Sequence, residues 1–201
     1  MKNLTLTIVM ACIIFAGNLL RAQEIGVQLS NAQSAYKAGN LQDTRFALQQ
    51  ALGEIDKAIG AEILKLLPTN MGKMAAVVAE DNVAGSGFGF AGLYVNRTYK
   101  TSETMNASLQ IISDSPMLAG INTLLALPAF AFDPSQKKIK IGNYRALLQK
   151  STDESGNVSW DVQIPFSSSL LTLHCMGVNE EKEVTEMANT IPIDKISKFV
   201  Q

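Results

Sequence analysis

The 201-residue chain has two cysteines and one histidine. That is too few for a disulfide scaffold, a zinc finger or most all-protein transition-metal sites. It is also short of charge. Charged residues make up 17%, and 17 basic side chains against 18 acidic leave a net charge of −1. Such a balance gives no reason to expect nucleic acid or an anionic membrane as a partner. Nor is the chain polar enough to be disordered, since 47% of it is hydrophobic. Its length suits one ordinary domain, or one domain with an appendage.

The first 22 residues read as a segment apart from the fold. Lys2 is followed by an apolar run from Leu4 to Gly17, then a break at Asn18 to Arg21, then Ala22 before Gln23-Glu24. This is the charged, apolar, small-residue order of a secretory signal peptide, with cleavage expected after Ala22. About fourteen apolar residues are too few for a comfortable membrane span. Val9-Met10-Ala11-Cys12 is not read as a lipidation box, because the apolar run continues past Cys12 through Ile13-Ile14-Phe15. Removal of this segment leaves Cys175 as the single thiol, expected to be a small buried apolar group.

The rest of the chain has two parts. Residues 23–67 read as a helical hairpin, broken at Ala38-Gly39-Asn40, where a helix stops and another starts. In the second helix Leu41, Leu48, Leu52, Ile55, Ile59, Ile63 and Leu66 recur at helical spacing and draw one apolar stripe. Pro68 ends it. Ala35-Tyr36-Lys37-Ala38-Gly39-Asn40-Leu41, with Ala47-Leu48 and Ala51-Leu52, resembles one tetratricopeptide helix pair. A single such unit cannot bury its own face, so it is expected to pack on the next domain or on a partner.

Residues 68–201 alternate strand signals with turns. Strands are expected at 74–78, 93–99, 105–112, 139–148 with a break at Gly142-Asn143, 158–164 and 170–176, and a helix at 180–189. A second short helix is expected within 193–200. Between Pro116 and Pro134 lies an apolar segment whose polar residues up to Phe132 are Asn122 and Thr123. Arg97-Thr98-Tyr99 in a strand, Ser113-Asp114-Ser115-Pro116-Met117 before the apolar segment, and Ile141-Gly142 with Tyr144-Arg145-Ala146 carry a resemblance to the PsbP-like fold family of exported bacterial proteins. It covers about residues 68–199. It implies an α+β fold, an antiparallel sheet covered by helices in an α/β/α sandwich, and a β-β-β-α-β-β-β-α order. It implies no catalytic residues.

Motifs that could carry chemistry fail on context. Gly87-Phe88-Gly89-Phe90-Ala91-Gly92 fits the dinucleotide fingerprint but precedes a strand instead of opening a helix. His174 alternates with Leu173 and Cys175 and shares a face with Thr172, as a half-buried strand histidine would. No G-x-S-x-G elbow accompanies it. Glu80-Asp81, Asp153-Glu154 and Glu180-Glu181 are neighbours in sequence near turns or a helix start, with nothing to suggest a buried acid–base pair. The Asn-x-Ser/Thr triplets at Asn96, Asn106 and Asn157 read as chance matches on strands.

The expectation is therefore an exported protein of the periplasm or extracellular space. It would act without catalysis, through protein–protein interaction with an envelope partner. The alternative is a binding module for a small apolar ligand or lipid beneath residues 117–132, with Met117, Leu118, Leu125 and Phe130 bordering the ligand or partner surface. No catalytic residue, cofactor or metal is assigned, nucleic acid is not expected as a partner, and no stable membrane span is expected once the signal is removed.

Overall fold

The computed structural model describes residues 24–86, 92–128 and 133–200. The expected signal segment 1–22, the residues Gly87 to Ala91 of the glycine-rich motif, and Phe130 lie outside the described residues.

The fold is α+β: a helical pair followed by an antiparallel sheet of nine strands, with helices on both faces. Helix α1 covers residues 24–37 and α2 covers Leu41–Leu66. Gly39 takes φ +75° between them, a backbone state that glycine adopts without cost. The Asn40 side chain caps α2 by accepting from the Asp43 amide. Strands β1 (Asn70–Met71), β2 (Met74–Ala76) and β3 (Asn82–Ala84) are short. They precede the long hairpin of β4 (Tyr94–Lys100) and β5 (Asn106–Ser113). Helix α3 (Leu118–Ala126) leads to the meander β6 (Gln136–Ile141), β7 (Tyr144–Thr152), β8 (Val158–Phe166) and β9 (Ser169–Met176). Helices α4 (Glu181–Asn189) and α5 (Ile193–Ile196) follow. The sheet order is β1-β2-β4-β5-β9-β8-β7-β6, with β3 sharing the outer side of β4 with β2.

Period-two alternation sets the two faces. Val95 and Tyr99 of β4, Leu109 and Ile111 of β5, Val162 and Ile164 of β8, and Leu171 and Leu173 of β9 are fully buried. They meet Ile63 and Leu67 near the end of α2, Val184 and Met187 of α4, and Ile193 and Ile196 of α5 in one core. The opposite face is mostly polar. It carries a small cluster of its own where Ile121 and Leu125 of α3 pack on Leu147 and Leu170.

The observed order, five strands, a helix, four strands and two helices, differs from the one the resemblance implies. Strands β1 and β3, at two and three residues, are too short to show a period. The strand expected at 139–148 is in fact a hairpin, β6 and β7, turning at Gly142-Asn143.

A buried clamp joins α2 to the sheet. The Arg97 guanidinium meets the Asp81 carboxylate through Nε at 2.9 Å and Nη2 at 2.6 Å, and Nη1 donates to the Leu67 carbonyl at 3.3 Å. Tyr99 donates its hydroxyl to the Pro68 carbonyl at 3.0 Å. These bonds satisfy carbonyls left open where α2 ends at proline. Burial pushes the Tyr99 hydroxyl up to about 12. The Arg97-Thr98-Tyr99 motif thus has a structural account.

Candidate functional site

Of the four residues expected to border a ligand, Leu118 and Leu125 come together. Two helical turns apart on α3, they share the cluster formed with Leu147 and Leu170. Leu125 is only 3% exposed, whereas Met117, just before the helix, is 55% exposed. At the far end of α3, Lys138 of β6 donates to the Leu127 carbonyl, which suits a helix C-terminus. Among the described residues, clefts lie elsewhere. One of about 260 Å³ is lined by Ile141, Asn143, Tyr144, Ile191 and Asp194. Another, of about 400 Å³, is lined by Thr104, Met105, Asn157, Met176 and Asn179.

The polar sheet face holds an arrangement that sequence reasoning missed. Asp161, His174 and Ser108 form one row across β8, β9 and β5. His174 Nδ1 lies 2.8 Å from Asp161 Oδ1, and this carboxylate raises the imidazole above its ordinary value against the opposing pull of partial burial. These are the residue types of a serine-hydrolase triad. Its chemistry requires the serine hydroxyl to donate to the imidazole. Ser108 Oγ donates instead to Asn96 Oδ1 at 2.9 Å. The signal that could have found the pair is hairpin arithmetic: a two-residue turn at Ser167-Ser168 sets Asp161 opposite His174. Among the described residues no group of three or more His, Cys, Asp and Glu side chains could hold a metal ion. Cys175 is buried, and burial foremost pushes its thiol up to about 12.

The helical pair presents the other arrangement. Ala32 of α1 and Ala47 and Ala51 of α2 are buried, small residues that let the two helices approach. On another side of α2, Gly60 receives β3 at Val83, and Gly53 and Asp56 receive the chain just after it at Gly85 and Ser86. The Asp56 carboxylate accepts from the Ser86 amide at 2.9 Å and its hydroxyl at 2.6 Å. A Cβ at Gly60 would run into Val83.

This corrects the stripe. Of its seven residues only Ile63 is fully buried, with Ile59 and Leu66 half-buried. The packed side of α2 lies about a quarter turn away, because the crossing chain needs glycines beneath it. Leu41, Leu48, Leu52 and Ile55 face outward, and helical phase sets Leu29 and Tyr36 of α1 on the same side. These six large apolar residues are between 38% and 67% exposed. The sheet therefore does not cover Leu48, Leu52 and Ile55.

Comparison with protein-family models, with curated proteins and with solved structures finds no match. Among the described residues no helix is long and apolar enough to cross a membrane.

Proposed function

We propose that the chain is an exported, non-catalytic envelope protein that works by protein–protein interaction, and that the face of its helical pair is the binding surface. The observation that carries this reading is the exposure of Leu29, Tyr36, Leu41, Leu48, Leu52 and Ile55, which helical phase sets on one side of the pair. Contiguous exposed apolar patches of this kind mark interaction sites. Their helical spacing suits an apolar helical surface on the partner. The sheet domain serves as the scaffold that fixes α2 through its C-terminal third and the Arg97 clamp. The PsbP-like resemblance of residues 68–199 belongs to the same proposal.

The apolar-ligand alternative finds less support. Leu118 and Leu125 meet Leu147 and Leu170 directly.

The test is the double variant Leu48→Asp/Leu52→Asp in the native host. Both side chains are exposed, so the melting temperature is expected to stay put while the native-size complex in the envelope fraction disappears. An unchanged complex refutes the reading, and so does a large drop in melting temperature, which would mean that the face is packed within the chain.

A further inference from the structure

Resting on that reading, we infer that the occupant of the helical face is a second copy of this chain, joined in a two-fold pair with α2 against α2 and Leu52 beside the axis. Leu48, Leu52 and Ile55 are spaced by four and three, the ridge pattern of helices packing at a small crossing angle. A two-fold interface uses the same patch on both copies. Rotation about a point beside Leu52 lays Leu48 of one copy near Ile55 of the partner subunit, and the reverse contact follows by symmetry.

The size fits. Taken together, the six side chains expose the equivalent of about three whole large residues, roughly 500–600 Å². A standard interface removes about 800 Å² from each partner. In homodimers about 65% of that is apolar, roughly 520 Å².

The charge pattern also fits a copy better than a different protein. Unlike partners select one another through complementary charge and through repulsion of competitors. Along the stripe from Leu41 to Ile55 the flanking Thr44 and Gln49 are neutral, and Arg45, four residues after Leu41 and three before Leu48, is the one charged residue on the stripe itself. A face with so little charge has little means to choose an unlike partner, and homodimer interfaces are the more apolar class. Two other sides of α2 are already committed, one to α1 at Ala47 and Ala51 and one to β3 and the chain after it at Gly53, Asp56 and Gly60.

The experiment combines sedimentation with cysteine cross-linking of the chain purified after export. The replaced residues Leu52 and Phe46 are both exposed, on different sides of α2, and the native Cys175 is buried and does not compete. The unmodified chain should sediment as a dimer. Leu52→Cys should convert to a disulfide-linked dimer under mild oxidation, and Phe46→Cys should not. Leu52→Asp should sediment as a monomer with an unchanged melting temperature. Three results overturn the inference: a monomeric unmodified chain at every concentration, a dimer that survives Leu52→Asp, or equal cross-linking from Phe46→Cys. A monomer whose Leu52 face takes up a different envelope protein overturns the self-pairing and leaves the interaction reading standing. An envelope complex indifferent to Leu48→Asp/Leu52→Asp overturns the interaction reading itself.

Discussion

Replacing Arg97 by methionine removes the cation from the clamp while keeping an unbranched side chain in its place. Arg97 is 6% exposed, and the Asp81 side chain is 12% exposed. Without its partner, the Asp81 carboxylate stays largely out of water with two charge-assisted bonds gone, and the Leu67 carbonyl loses its donor. Removing one member of a buried ion pair costs about 3–5 kcal/mol, most of it the stranded charge. Arg97→Met is therefore expected to lower the unfolding free energy at neutral pH by about that amount. The double variant Arg97→Met/Asp81→Leu removes both charges. It should recover most of the loss, keeping a deficit of about 1 kcal/mol for the Leu67 carbonyl. Urea unfolding followed by circular dichroism measures each, and an unchanged slope shows that stability alone has moved. A loss below about 1 kcal/mol for Arg97→Met, or a double variant no better than the single one, refutes the argument that a stranded charge sets the cost.

Other consequences are as direct. His174 is the one histidine, so its ring resonances titrate alone in an NMR experiment. Its folded value is raised by Asp161, so the stabilisation it adds is complete below about 6.5 and is lost as pH rises through the folded value. Asp161→Asn should lower that value, and a wild-type midpoint below 6.5 contradicts the pairing. Cys175, buried with its thiol pushed up to about 12, should ignore a thiol reagent in the folded chain and react on unfolding. Reaction at neutral pH in the folded state at the rate of a free thiol refutes this. Leu125→Ala should cost about 2–4 kcal/mol, whereas Met117→Ala should cost under about 0.5 kcal/mol. Equal losses in thermal melting would show that the placement of α3 is wrong.

Much of the fold is legible in the residues, and the gaps have physical causes. The alternation of Ala107, Leu109 and Ile111, and of Leu171, Leu173 and Cys175, marks the buried face of two central strands, because one side of each meets the core. The helix break at Gly39-Asn40 is equally clear, since a left-handed glycine followed by a capping asparagine has few other uses. Strand β3 is hidden because three residues show no period, and with it goes the pairing of Asp81 with Arg97, which continues the register of β3 on β4. The Asp161–His174 pair depends in the same way on knowing where β8 turns into β9.

The stripe on α2 shows a further limit. Helical spacing says which side chains share a side, but not which side is covered. Gly53, Asp56 and Gly60 add nothing to a hydrophobic pattern, yet they form the packed track. Leu48 and Leu52 look like core and lie on the surface.

The central claim, that this exposed face is an interaction surface, is tested most directly by site-specific photocross-linking in intact cells of the native host. A photoreactive side chain is placed at Leu52 and, as the control, at Val78, an exposed apolar residue outside the helical pair. The expected result is one discrete adduct from position 52, of the size of a second copy, and none from position 78. No adduct from position 52, or the same adducts from both positions, contradicts the account.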